Sequence, residues 1–227
     1  YRPISLLPTI SKIVEKIVHK QLYDYMTENN LFNNSQYGFR QKHSTAYAAV
    51  EFTDKVAKSI DEGEIPFSIF IDLSKAFDTL DHTILLQKLR YYGITGTHLQ
   101  WFKSYLSGRK QSVKYNDCIS NQLDLTTGVP QGSVLGPLLF LIYINDISKA
   151  SRLMHAILFA DDTSLIGTMS HFQVRTPRTK NDIMILNSRI NFELELVHDW
   201  LKINKLSLNV GKTKLMVIHY PQPPMKN

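Results

Sequence analysis

Cysteine is almost absent: Cys118 stands alone among 227 residues. No intrachain disulfide can form and no thiolate cluster can hold a metal, so Cys118 reads as a small buried hydrophobe in a reducing compartment. Long apolar runs are also missing. The longest, Val134 to Ile144, is interrupted by Gly136 and Pro137 and falls well short of the roughly 20 residues needed to cross a bilayer. The eight histidines show neither zinc-ligand nor triad spacing, so His82, His155 and the others read as structural or surface groups. There is no internal repeat and no leading signal peptide. Low complexity is confined to Tyr220-Pro221-Gln222-Pro223-Pro224. A start at Tyr1 and that Pro-rich end read as a piece of a longer polypeptide.

Hydrophobic residues make up 43% of the chain, enough for one large domain or two lobes sharing a core. Lysine and arginine number 26 against 20 acids, a net charge of +6 that suits a polyanionic partner without specifying one. Ile10, Ile13, Val14, Ile17, Val18 and Leu22 recur at helical spacing and predict an amphipathic helix. A second helix is expected over Ala46 to Ile60, with Ala49, Thr53, Val56 and Ile60 on one face. From Phe67 to Leu73 the period changes to two, which predicts a strand carrying Asp72 on its second face. Helices over His82 to Tyr92 and His98 to Leu106 are closed by Gly93 and Ser107-Gly108. Two short strands, Gln111 to Tyr115 and Gln122 to Thr126, flank an Asn116-Asp117 turn, and a helix follows over Leu138 to Ile147.

Next come Ala156 to Phe159 and Ser164 to Ile166, two apolar segments separated by Ala160-Asp161-Asp162-Thr163. This is the pattern of a hairpin with two acids at its tip. Ile183, Leu186, Ile190, Leu194, Val197 and Leu201 predict a long helix, and Lys214 to His219 a last strand. Beyond Pro66 the order predicts a small α+β sheet with helices on one face.

Asp72, Asp161 and Asp162 all emerge from apolar stretches. Carboxylates about 4 Å apart repel by roughly 4 kcal/mol at an effective dielectric near 20, so they are a poor way to stabilise a hairpin. A divalent cation turns that repulsion into attraction, and Mg²⁺ suits oxygen ligands with few protein carboxylates. The dipeptide alone is equally compatible with an ordinary turn.

The surrounding residues are more specific. Phe70-Ile71-Asp72-Leu73-Ser74-Lys75-Ala76-Phe77-Asp78 resembles the motif that holds the first catalytic aspartate of reverse transcriptases. Phe159-Ala160-Asp161-Asp162 resembles their second metal-binding motif in its non-LTR retrotransposon form. Thr127 to Pro137, containing Pro130-Gln131-Gly132, is similar to the segment that contacts nucleotide and template. Tyr1-Arg2-Pro3-Ile4-Ser5-Leu6-Leu7 and Gln36-Tyr37-Gly38-Phe39-Arg40 look like two fingers motifs, and Leu206 to Lys214 like the motif that closes the palm. The blocks stand in the family's order over nearly the whole chain.

The resemblance implies an RNA-directed DNA polymerase with a right-hand α+β architecture. Residues 1–65 would be fingers-like and 66–220 palm, with 95–128 at the junction and 221–227 a linker toward an absent thumb. The palm would carry a ferredoxin-like antiparallel sheet backed by helices. Asp72 and Asp161 would bind two Mg²⁺ ions (Mn²⁺ is the alternative), with Asp162 beside them and the Leu73 carbonyl as a backbone ligand. Lys212 would donate a proton to leaving pyrophosphate. Phe77 would exclude a ribose 2′-hydroxyl, while Arg2, Gln131 and Gly132 would hold the incoming nucleotide and Arg40 would meet the template. Lys42, Lys103, Arg109, Lys110 and Lys114 read mainly as solvated charges. The implied partners are an RNA template, a DNA primer and deoxynucleoside triphosphates, with no membrane, and an endonuclease domain elsewhere in the full-length protein. Nuclear or cytoplasmic placement follows from the resemblance alone. An RNA-dependent RNA polymerase fits less well, given Ala160 before the acid pair and Phe77. A group II intron maturase-like enzyme and an inactive RNA-binding remnant are the remaining alternatives.

Overall fold

The computed structural model describes residues 4–174, 177 and 179–218. Arg2, His219 and the Pro-rich end lie outside the described residues. The elements run α1 (Thr9–Glu28), α2 (Thr45–Asp61), β1 (Pro66–Ile71), β2 (Leu73–Ser74), α3 (His82–Tyr91) and α4 (Gly96–Leu106). They continue with β3 (Lys110–Gln111), β4 (Lys114–Tyr115), β5 (Cys118–Ile119), β6 (Leu123–Asp124) and α5 (Gly136–Ile144). Last come β7 (His155–Phe159), β8 (Asp162–Thr168), α6 (Lys180–Ile203), β9 (Ser207–Leu208) and β10 (Lys214–Val217). Helices and antiparallel strands alternate, an α+β arrangement. No helix among the described residues is long and apolar enough to cross a membrane.

The chain forms two compact units that it enters more than once. One comprises the stretch up to Phe32 with Lys75–Asn145 and Asn204–Leu206; the other comprises Asn33–Ser74, Asp146–Ile203 and the stretch from Ser207.

The first unit is built around α5, whose leucines, isoleucines, Phe140 and Tyr143 are buried on every side. A helix apolar all round has to be covered. At its N-terminus the Ser133 hydroxyl accepts from the Gly136 N–H at 3.0 Å. The buried Glu15 of α1, 119 residues from Val134, adds a second cap, accepting from the Val134 N–H at 2.6 Å and the Leu135 N–H at 3.2 Å. The Tyr105 hydroxyl donates to the other Glu15 oxygen at 3.1 Å, and burial together with Glu15 pushes that phenol up to about 12. In α3 the N-cap is Asp81, which accepts from the Thr83 and Ile84 N–H groups at 2.9 and 3.0 Å. The apolar stripe expected of α1 is corrected here: Ile10, Ile13, Val14 and Ile17 are exposed, while Glu15, Leu22, Tyr23 and Met26 are buried. β3 to β6 form one interrupted hairpin around Asn116-Asp117, and Cys118 lies exposed on it rather than buried.

The second unit holds a four-stranded antiparallel sheet in the order β10-β1-β8-β7. Numbered by appearance among themselves, its strands stand 4-1-3-2. Helices cover both faces, not one. On one side Phe52 of α2 meets Phe70 of β1 with ring centroids 5.8 Å apart; on the other, Ile71 faces a cleft lined by Leu194, Val197 and Leu201 of α6. This explains why β1 is buried along nearly its whole length instead of alternating. α6 starts with a reciprocal cap in which Thr179 and Asp182 exchange backbone-to-side-chain bonds of 2.9 and 3.1 Å. Midway along α6 the buried Glu193 carboxylate accepts from Ser151, Arg152 and Leu153. The face of α2 also differs from expectation: Ala49 and Thr53 are exposed, and Phe52, Val56 and Ile60 are half-buried.

Candidate active site

β1 ends two residues short of Leu73, at Ile71. The chain breaks step at Asp72 and re-forms a ladder as β2, where Leu73 pairs with Leu208 of β9. β1 pairs with β8 so that Phe70 opposes Ser164 and Ile71 opposes Thr163. The same register carried one step on sets Asp72 across from Asp162. The hairpin tip is Ala160-Asp161, with Phe159 paired to Asp162. Asp162 is therefore the first residue of β8 rather than a tip residue. Ala160 has φ 57°, and Asp161 is not among the positive-φ residues, which is the pattern of a II′ turn with alanine where glycine is usual.

Asp72, Asp162, Thr163, Ser164 and Lys212 line one cleft at this end of the sheet. Asp161 is half-buried in the turn and is not among the lining residues. Asp72 is held from β9 and the turn after it. The Asn209 side chain donates to the Asp72 carboxylate at 2.9 Å, and the Asn209 N–H donates to the Asp72 carbonyl at 2.8 Å. Lys212 Nζ stands 3.7 Å from the same carboxylate oxygen, its side chain 72% exposed, so the pair is a loose surface contact. The expected convergence of three carboxyl groups is met only in the backbone. Among the described residues no three His, Cys, Asp or Glu side chains are gathered as a metal-holding group. The Asp72 carboxylate is turned toward Asn209 and Lys212. The donor set itself fits a hard cation. Carboxylates, two hydroxyls and backbone carbonyls are all oxygen ligands, and the buried Thr163 hydroxyl has no hydrogen-bond partner.

The hairpin tip rests on a segment far upstream. Residues 35–37 run beside β7: the Leu158 N–H donates to the Ser35 carbonyl and the Tyr37 N–H to the Leu158 carbonyl, both at 2.8 Å. Gln36, 2% exposed, accepts through Oε1 from the Gly38 N–H at 2.8 Å and from the Ala160 N–H at 3.0 Å. Gly38 is pressed against the tip, and a Cβ there would lie 2.2 Å from the Ala160 nitrogen. Arg40 donates to the Asn33 carbonyl at 2.8 Å, bracing its own loop. Gln36, Gly38 and Asn209 lie inside the family-like motifs, yet no role was expected of them.

In the other unit, the loop carrying Gln131 and Gly132 is fastened to the segment carrying Phe77. The Val129 N–H donates to the Phe77 carbonyl at 3.0 Å and the Gly128 N–H to the Leu80 carbonyl at 2.7 Å. Gly128, at φ 80°, packs so closely that a Cβ would meet Asp78 backbone at 2.6 Å. The Gln131 amide donates to Asp78 at 3.1 Å, and the Ser5 N–H donates to the Gln131 carbonyl at 2.8 Å. Phe77 is half-buried, stacked on Phe140 with centroids 4.6 Å apart. His82 bonds the Gly128 carbonyl in this unit, and His155 bonds Glu51 within the sheet-bearing unit.

The sequence profile of the family described as Reverse transcriptase (RNA-dependent DNA polymerase) matches residues 1–226. The probable RNA-directed DNA polymerase from transposon BS of Drosophila melanogaster is 38% identical over 153 residues, 65% of this chain and 16% of that protein. The RNA-directed DNA polymerase from mobile element jockey of Drosophila funebris is 28% identical over 212 residues, 93% of this chain and 23% of that protein. The chain thus spans less than a quarter of either relative. A solved structure of telomerase from Candida albicans, in complex with a fragment of telomeric RNA, superposes with a TM-score of 0.58 at 15% identity, covering 93% of this chain and 36% of that one. That likeness speaks to the fold. The chain belongs to the reverse transcriptase (RNA-dependent DNA polymerase) family, alongside the polymerases of non-LTR retrotransposons.

Proposed function

We propose that this chain is the fingers and palm of an RNA-directed DNA polymerase that adds deoxynucleotides to a primer 3′-hydroxyl on an RNA template. The observation that carries the reading is the meeting of Asp72 and Asp162, 90 residues apart in sequence, at the ends of paired strands in one cleft with Lys212. Asp72, Asp161 and the Leu73 carbonyl are the groups that would hold two Mg²⁺ ions, with Asp162 beside them. When bound, such ions lower the pKa of the attacking hydroxyl and steady the triphosphate charge. The 4-1-3-2 strand order supports the ferredoxin-like palm.

Asn209 fixes the Asp72 carboxylate by a direct bond and leaves its second oxygen for a ligand. Lys212, one of the residues lining the cleft, is the group proposed to offset phosphate charge and to hand a proton to pyrophosphate. Phe77, braced by Phe140, is the proposed barrier to a 2′-hydroxyl. Gln131 and Gly132 are proposed at the nascent base pair, Arg2 at the triphosphate and Arg40 at the template. The thumb and an endonuclease domain are assigned to other stretches of the parent polypeptide.

The test is primer extension by the full-length polypeptide on poly(rA)–oligo(dT) with dTTP and Mg²⁺. Extension that disappears in Asp72→Asn and Asp161→Asn is the expected outcome. Extension that persists in Asp161→Asn, or template binding with no extension by the wild type, refutes it.

A further inference from the structure

We infer that the Gln36 carboxamide is a positioning residue, which holds the Ala160-Asp161 turn in its left-handed form and thereby sets where Asp161 stands. The inference rests on the reading of Asp161 as a metal-holding group.

Ala160 is a non-glycine residue at φ 57°, 6% exposed, at the first turn position. L-residues avoid that region because Cβ crowds the following carbonyl, so a single alanine keeps it only when its surroundings over-determine it. The turn's own ladder ends at Phe159 paired with Asp162. The Ala160 N–H therefore points out of the ladder, and it is satisfied by Gln36 Oε1 at 3.0 Å. The same oxygen takes the Gly38 N–H at 2.8 Å, so one side-chain atom joins two backbone segments that also pair along β7. The two bonds dictate which end of the amide faces the turn. Two donors demand the oxygen, and Gln36 Nε2 is left buried with no hydrogen-bond partner. The amide oxygen thus holds one N–H at a fixed place beside the acid that follows it.

Gln36 touches no reacting atom, so its effect must pass through Asp161. In the full-length polypeptide, Gln36→Met keeps the side-chain length and removes the acceptor. The expected result is faster amide hydrogen exchange confined to the peptide spanning Ala160, with the rest of β7 and β8 as slow as before. Alongside it kcat falls by about tenfold to a hundredfold, the Mg²⁺ concentration for half-maximal rate rises several-fold, and KM for dTTP stays within about twofold. Ala160→Gly, which is at home at positive φ, should restore part of the lost kcat in the double variant. Gln36→Glu, which keeps an oxygen at the same reach, should retain local protection of Ala160; it carries the test if the methionine variant does not fold.

Three results overturn the inference: unchanged exchange at Ala160 in Gln36→Met, a loss of rate that follows melting temperature with no change in the Mg²⁺ midpoint, or Ala160 exchange in Gln36→Glu no slower than in an unfolded peptide. Failure of the metal-site reading is seen separately. Asp161→Asn that still extends primers removes the site, whereas Asp161→Asn that is dead beside an unaffected Gln36→Met removes only the role of Gln36.

Discussion

Substituting Gly38 by alanine adds one methyl group at the point where two distant segments touch. That Cβ would lie 2.2 Å from the Ala160 nitrogen and 2.9 Å from both the Ala160 Cα and the Phe159 carbonyl carbon. All three are backbone atoms, so no side chain can swing aside. Ordinary contact begins near 3.4 Å. The tip and the upstream loop must therefore separate by roughly 1 Å, and Asp161 moves with the tip. Overpacking of this kind costs about 1–3 kcal/mol of stability. A displacement of about 1 Å in a reacting group costs on the order of 100-fold in rate. The expected outcome is a full-length polypeptide that still folds, melts a few degrees lower and extends primers at about 1% of the wild-type rate at saturating dTTP. Extension assays run well below the melting temperature, with melting followed by circular dichroism, separate the two effects. Wild-type kcat in a folded Gly38→Ala protein would refute the contact between this loop and a working catalytic turn.

Other substitutions probe the remaining parts. Phe77→Ala should raise ribonucleotide incorporation relative to deoxynucleotide by at least tenfold in single-nucleotide extension, and an unchanged ratio removes the barrier assigned to that ring. Asn209→Leu should lower kcat with little change in KM for dTTP, because it frees the Asp72 carboxylate without touching nucleotide. Glu15→Ala strands two N–H donors at the start of α5, each costing about 1–3 kcal/mol, and a melting temperature within a degree of wild type would contradict the capping role. The Asp81 carboxyl is held below its usual value, chiefly by its bond to Lys205 at 2.6 Å. Its contribution is therefore complete above the unfolded carboxylate value of about 3.9 and is lost as pH falls through the lowered folded value. Asp81→Asn should flatten the loss of stability below about pH 4 in an acid titration followed by fluorescence.

Long periodic elements were readable from the sequence, and so was the alternation of helices with antiparallel strands. The burial of Leu186, Ile190, Val197 and Leu201 on α6 and the closing of α3 by Gly93 follow from spacing and turn chemistry that act within a few residues, whereas Ile183 of the same stripe is exposed and the Asp81 cap was not foreseen. The exposure of Ile10, Ile13, Val14 and Ile17 could not be read that way, since periodicity gives a face but not its covering. β9 escaped notice because a two-residue strand has no period. The break at Asp72 was hidden for the same reason: β1 and β2 look like one strand until β9 claims the second part. Asp72, Asp161, Asp162 and Lys212 were legible as a motif set. Gln36, Gly38 and Asn209 carried no expected role, because what they do depends on groups 120 or more residues away.

The sheet order also has a consequence for how this chain is made. The central strand β1 gains one neighbour from β8, about a hundred residues later, and the other from β10, whose Val217 pairs back to Phe67. Such non-local pairings carry a large loop-closure cost and form late. During synthesis β1 leaves the ribosome with both edges bare, and it keeps one bare edge until Lys214–Val217 has emerged. A product that terminates before that point presents an apolar strand edge to the cell, the kind of surface that chaperones and proteases recognise first.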